Sequence, residues 1–268
     1  MSDRYISLLQ ACLTRELVLD EEVHDVARSE FADLVDNELW SVMRANGWRI
    51  TRRGGAAAKR DDGSDWPPSA ETMVGRRRLA NVRSCVESVL SDQVPGDLVE
   101  TGVWRGGVTI LMRGILAAWG DTNRRVWVAD SFQGLPAPDL DAYPADAGHD
   151  LSGVATLAVS ADQVRANFAR YDLLDDQVQF LEGWFRDTLP AAPIENLAVL
   201  RLDGDLYEST MDALDALYDK VTPGGYVIID DYGAWDPCRK AVDDYRSAHA
   251  ITDEIVEIDW TGVYWRKT

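Results

Sequence analysis

The chain has 268 residues, 46% of them apolar and 27% charged. That is the profile of a globular protein with room for one full α/β domain and a smaller appendage, and not of a disordered chain. Its 27 Lys+Arg against 46 Asp+Glu leave a net charge of −19. Such a surface repels phosphate backbones and anionic headgroups, so nucleic acid and membranes are not expected as partners, while metal ions and cationic ligands are favoured.

Residues 1–48 read as helical. Ile6, Leu8, Leu9, Cys12 and Leu13 recur at spacings of three and four, and Phe31, Leu34, Val35 and Leu39 do so again. The opening segment is broken by charges and lacks the apolar core of a signal peptide, and no run approaches the roughly 20 apolar residues that span a bilayer. Cys12, Cys85 and Cys238 lie far apart with no C-x-x-C pair, which argues against a zinc site and a disulfide framework. A cytoplasmic location is expected. The stretch WRITRRGGAAAKRDDGSDWPPSAE carries Gly, Pro and both charge signs without periodicity and reads as a connector. Its Arg49, Arg52, Arg53, Lys59 and Arg60 read as a solvated basic face rather than an anion site. Residues 1–70 are therefore expected to form a helical N-terminal extension, and residues 71–268 the main domain.

From Met73 the pattern alternates between helices and short apolar strands. A helix over 75–91 leads to a strand at 97–100, a glycine-containing turn, a helix over 107–119 and a strand at 126–130. A long Pro/Asp/Gly-rich stretch follows, and its residues 132–153 read as a functional lid. A helix over 161–172, strands at 178–182 and 197–202, a helix over 208–220 and a strand at 226–230 resume the rhythm. Continuous apolar strands between helices predict a mostly parallel sheet covered on both faces, and residues 254–266 read as a terminal antiparallel hairpin.

In such sheets ligands bind at the carboxyl ends of the strands. The first strand ends in Glu100-Thr101-Gly102-Val103-Trp104-Arg105-Gly106-Gly107. This is not the dinucleotide fingerprint G-x-G-x-x-G. Its E-x-G-x-x-x-G spacing resembles the first motif of class I S-adenosylmethionine-dependent methyltransferases, although any strand, glycine turn and helix can produce it. Asp130-Ser131 ends the second strand, a position that favours contacts to ribose hydroxyls over the alternative of a helix N-cap. Trp184, after Gly183, either flanks an adenine ring or fills the core.

The strongest signal is carboxylate. Asp203 and Asp205 end the fourth strand, and Asp230 and Asp231 end the fifth. Neighbouring parallel strands bring the four acids to one edge, where they repel unless a cation compensates. An all-oxygen set without His or Cys suits Mg²⁺, against the alternative of capping or solvated acids in an acid-rich chain. Asp203 is assigned mainly to the metal and Asp205 to proton removal, roles that can exchange. His149, in the lid, is either exposed or a base.

The residues from Trp66 to Lys267 resemble the macrocin-type (TylF-like) O-methyltransferases, which methylate sugar hydroxyls on natural products. The matching text is TMVGRRRLANV, VPGDLVETGVWRGG, VWVADSFQGLP, FLEGWFRDTLPAAPIE, LAVLRLDGDLYESTMDAL, GGYVIIDDYG and GVYWRK, about three-quarters of the chain. The resemblance implies a class I methyltransferase fold and S-adenosylmethionine contacted by Met73, Glu100, Thr101, Gly102, Asp130, Ser131, Ser160, Gly183 and Trp184. It also implies Mg²⁺ held by Asp203, Asp230 and Asp231, a small-molecule glycoside as acceptor, and a homo-oligomer. Two departures stand out. Ala241-Val242-Asp243-Asp244-Tyr245 offers no His where the family often has one, and the loop Gly233-Ala234-Trp235-Asp236-Pro237 is one residue longer. The expected activity is Mg²⁺-dependent methylation of a deoxysugar hydroxyl in antibiotic biosynthesis. The rivals are a catechol-type phenol methyltransferase and a non-catalytic cofactor-binding subunit.

Overall fold

The computed structural model describes residues 2–21, 23–25, 37–48, 50–53, 57–65, 67 and 69–268. A seven-stranded sheet holds the molecule together, in the order β5-β4-β3-β6-β7-β9-β8. Its strands are β3 (Asp97–Thr101), β4 (Val126–Asp130), β5 (Val178–Glu182), β6 (Leu197–Leu202), β7 (Val221–Ile229), β8 (Val256–Glu257) and β9 (Val263–Arg266). The first five are parallel. β9 runs antiparallel beside β7 and carries β8 on its outer side, so the terminal hairpin is present.

The expected burial on both faces follows from alternation along each strand. Leu98, Val126, Val128 and Ile228 point into one core, and Val99, Trp127, Ala129, Val227 and Ile229 into the other. The first core is roofed by α4 (Arg76–Ser91) and α5 (Gly107–Trp119), and α6 (Ala161–Arg170) adds Val164 and Phe168 to it. The second is covered by α8 (Tyr207–Leu217) and α9 (Asp236–Ala248); the short α7 (Phe185–Thr188) precedes β6. α1 (Ser2–Leu13) lies on α5 with Ile6, Leu9 and Leu13 buried in the first core.

The N-terminal region departs from the helical reading. Val23–Asp25 (β1) is a strand that pairs antiparallel with Thr51–Arg53 (β2), which falls inside the supposed connector. That connector also holds the helix α3 (Ala57–Asp62), whereas α2 (Asn37–Ala45) agrees with the expectation. Pairing between segments so far apart in the chain leaves no trace in local spacing. Phe31, Leu34, Val35 and Arg49 lie outside the described residues. Arg60 is not on a solvated basic face: it is buried, donates to the Thr14 carbonyl at 2.5 Å and pairs with Asp65 at 3.0 Å. Among the described residues no helix is long and apolar enough to cross a membrane.

Candidate active site

Register brings the acids together. β6 and β7 pair Leu202 with Ile229, so the next residues, Asp203 and Asp230, leave the sheet side by side. The Asp203 N–H still donates to the Thr101 carbonyl and the Asp230 N–H to the Leu202 carbonyl, both at 2.9 Å, so the ladder itself holds both carboxylates. Asp203, Asp230 and Asp231 each offer an oxygen, and the three lie within 4.8 Å of one another.

Compensating charge comes from two arginines that the sequence reading did not assign. Arg201, the single charged side chain within β6, is wholly buried and pairs with Glu100, Asp230 and Asp203, the last at 2.9 Å. Arg78, on α4, pairs with Asp230 and with Asp259 at 3.0 Å. Arg201 was legible as a lone charge in an apolar strand; Arg78 reaches Asp230 across 152 residues of chain and left no such signal.

Two cations do not balance this set. Burial pushes Glu100 up to about 8 against the pull of Arg201. Burial and the charge of Asp230 hold Asp203 up at about 6, again opposed by Arg201. Asp205 is pushed to about 8 by burial, then by Asp203 and Asp230, and Asp231 is raised by burial and by Asp205. A hard divalent ion fits this uncompensated oxygen set. Both Asp230 oxygens accept from guanidiniums, yet each retains a second lone pair.

Backbone strain gathers at the same edge. Trp104 after β3, Phe132 after β4 and Asp205 after β6 all have left-handed φ, at 48°, 56° and 57°. Such residues cost on the order of 1–3 kcal/mol each and persist where surroundings overdetermine them. A Cβ on Gly102 would meet the Asp203 carbonyl oxygen at 1.7 Å, so the approach of the β6 exit by itself requires glycine there.

Two cavities open at this edge. The first, about 790 Å³ including its open mouth, is bordered by Gly102, Asp130, Ser131, Trp184 and the lid residues Leu135 and Pro136. The second, about 1050 Å³ including its open mouth, is bordered by Glu100, Arg78, Asp230, Asp231, Trp235 and Trp260. Met73, Trp104, Leu157, Asp203 and Asp205 border both. Met73, Gly102, Asp130, Ser131 and Trp184 are thus gathered around the first cavity, while Glu100 faces the second. Asp130 accepts from the N–H groups of Val103 (2.8 Å) and Phe132 (2.7 Å), tying the two ligand loops together instead of capping a helix. Thr101 is buried and Gly183 sits at φ 145° just before Trp184, and neither borders either of these two cavities. Ser160 is not brought to the site. It caps α6, accepting from the Gln163 N–H at 3.2 Å, and lines a separate hollow. His149 packs edge-on to Trp235 at 5.6 Å. Sequence reasoning missed Trp104, Trp235 and Trp260, because only the tertiary fold turns them toward one space.

This strand order, with a ligand cavity at the carboxyl edge of the parallel strands, defines a class I methyltransferase fold. A family model described as macrocin-O-methyltransferase (TylF) matches residues 2–267, and the chain belongs to that family. It is 63% identical over 209 residues to the 8-demethyl-8-(2,3-dimethoxy-alpha-L-rhamnosyl)-tetracenomycin-C 4'-O-methyltransferase of Streptomyces olivaceus, covering 77% of this chain and 79% of that one. It is 54% identical over 222 residues to the mycinamicin III 3''-O-methyltransferase of Micromonospora griseorubida, covering 82% and 87%. The solved structure of the O-methyltransferase NovP superposes with a TM-score of 0.86 at 49% identity, over 100% of both chains. The protein is an O-methyltransferase, and its fold implies S-adenosylmethionine as donor.

Proposed function

We propose that the chain methylates a deoxysugar hydroxyl on a glycosylated natural product, with Mg²⁺ held by Asp203, Asp230 and Asp231 and with Asp205 as base. The observation that carries this reading is the shared border of the two cavities: a donor space and an acceptor space meet at Asp203 and Asp205. The rhamnosyl group in the name of the Streptomyces olivaceus relative supports the acceptor class.

The first cavity suits S-adenosylmethionine, with Trp184, Met73 and Leu135 as apolar walls and Asp130 retaining lone pairs for ribose hydroxyls. The donor supplies an electrophilic methyl on a positively charged sulfur, and the acid-rich edge favours that cation over its neutral thioether product. Mg²⁺, when bound, would supply Lewis acidity that lowers the pKa of an alcohol otherwise far above neutrality. Asp205 borders both cavities without a guanidinium partner, unlike Asp203, so its carboxylate is the freer one to take the hydroxyl proton. Its elevated pKa makes it a stronger base than an ordinary aspartate. Trp104, Trp235 and Trp260 give the acceptor apolar faces to lie against and exclude water from the reacting oxygen.

Exposed Leu8, Leu17, Leu39, Val42 and Trp48 in the first 48 residues support a homo-oligomer assembled through this region. The deciding experiment titrates S-adenosylhomocysteine and then Mg²⁺ into the protein and into Asp230→Asn, and assays methyl transfer to glycoside and catechol panels. The reading expects product binding in both proteins, Mg²⁺ binding that depends on Asp230, and turnover on glycosides. Turnover confined to catechols would replace the acceptor class. Absent S-adenosylhomocysteine binding would overturn the donor site.

A further inference from the structure

Within the lid, in a turn whose neighbours Ala147 and Gly148 are exposed, Asp146 is 0% exposed. Its Oδ1 accepts from the Tyr207 N–H at 2.6 Å and its Oδ2 from the Glu208 N–H at 3.2 Å. These are the first two residues of α8, whose N-cap position is Leu206, a side chain with no oxygen to offer. Two of the free N–H groups that a helix start presents are therefore satisfied by a carboxylate some sixty residues earlier in the chain, with the helix dipole adding to the attraction. Asp205 stands immediately before this cap, in its left-handed conformation, and the Leu206 N–H closes a tight turn onto the Gly204 carbonyl at 2.6 Å.

The contact is one of several that fasten the lid and the residues just after it, to about residue 158, to the sheet edge. Trp104, after β3, donates its Nε1–H to the Thr156 carbonyl at 2.9 Å. His149 meets Trp235, after β7, edge-on. Asp146 supplies the tie to the loop after β6, reinforced by the Tyr143 and Tyr207 rings at 6.1 Å. Between the ties, Leu135, Pro136 and Leu157 border the first cavity and Leu151 and Leu157 the second. The His149 tie joins two side chains, and the Trp104 tie holds the backbone at Thr156 through a side chain after β3. The Asp146 tie ends on the backbone N–H groups of Tyr207 and Glu208, just after Asp205.

We infer that Asp146 is a positioning residue: by capping α8 from the lid it holds the lid over both cavities and fixes the loop that presents Asp205. This rests on the methyltransferase reading for its consequence in catalysis, but the linkage itself is a property of the polypeptide alone. Release of Asp146 frees the lid and the α8 start together, which a local helix cap would not do.

The test compares full-length wild type, Asp146→Ala, Asp146→Asn and, as a control in the same lid, the exposed Asp141→Ala. Hydrogen exchange without ligand is expected to accelerate in Asp146→Ala both in peptides spanning 132–158 and in those spanning 204–210, with β3–β7 protected as in wild type. S-adenosylhomocysteine affinity is expected to fall roughly tenfold, the scale of losing a helix cap. In turnover kcat is expected to fall and KM to rise, while Asp141→Ala matches wild type. Asp146→Asn keeps one acceptor oxygen for Tyr207 and is expected to recover part of each effect; it carries the comparison if the alanine variant does not fold. Faster exchange at 204–210 alone, with the lid and the S-adenosylhomocysteine affinity unchanged, would reduce Asp146 to a local cap and overturn the inference. Failure of wild type to bind S-adenosylhomocysteine would overturn the donor site instead, and the exchange comparison would still decide the latch.

Discussion

At the scale of single residues the division of labour among the carboxylates is set by what each one touches. Asp230 is gripped by two guanidiniums and Asp203 by one, whereas among the described residues none donates a charged hydrogen bond to Asp205. Asp205→Asn is expected to lower kcat by roughly 10²–10⁴ while leaving S-adenosylhomocysteine affinity near wild type, as read by steady-state kinetics and calorimetry. The pH dependence has a definite sign. Burial and neighbouring carboxylates hold Asp205 at about 8 without a cation, and only its ionised form accepts a proton. A divalent ion at Asp203, Asp230 and Asp231 would favour the ionised form and move the titration downward, so Mg²⁺-supported turnover is expected to rise with pH over a range below the metal-free one. Carboxyl NMR with and without Mg²⁺ checks this, and a titration that Mg²⁺ leaves in place would argue against a shared site. Gly102→Ala is expected to be severe, because the new methyl would stand 1.7 Å from the Asp203 carbonyl oxygen and the backbone would remain at φ 85°. A fall in Tm with loss of S-adenosylhomocysteine binding is the expected measurement.

At the scale of elements, strand register decides which charges meet. Glu100 on β3 stands opposite Arg201 on β6, and both are buried, so their pairing is a property of the β3–β6 alignment. Removing one partner of a buried pair leaves the other uncompensated. Arg201→Met is expected to cost about 3–5 kcal/mol in urea unfolding. Arg201→Met combined with Glu100→Gln is expected to cost less than the sum of the single changes, and strict additivity would contradict the coupling. The parallel strands were readable from their apolar runs, and the acids at their ends from position alone. The short strands β1 and β2 were not readable, because three-residue pairing depends on a distant partner and carries no period.

For the whole molecule, the packing of α1 on α5 and the acid excess make separate claims. Leu13 is fully buried in the core that α5 roofs, so Leu13→Ala is expected to lose about 2–5 kcal/mol by thermal or urea unfolding. A negligible loss would mean that α1 is dispensable for the fold. A net charge of −19 repels itself over distances that salt screens. Added sodium chloride is expected to raise Tm, and a falling Tm would mean that exposed ion pairs such as Arg76–Glu16 and Arg266–Asp92 outweigh that repulsion. The family relationship places this chain among O-methyltransferases. The acceptor class proposed for it rests on the walls of the second cavity.

The sequence by itself determined the alternation of strands and helices, the parallel sheet and the acids at the ends of β6 and β7. These depend on local composition and on the rule that strand ends face the ligand. Tertiary structure alone decided that Arg78 and Asp259 would join those acids, that Ser160 would cap a helix away from the cavity, and that Asp146 would cap α8. Each of these depends on where distant segments meet in space. Hydrophobic periodicity records which face of an element is buried, and it holds no record of which remote polar group completes a charge or a helix end.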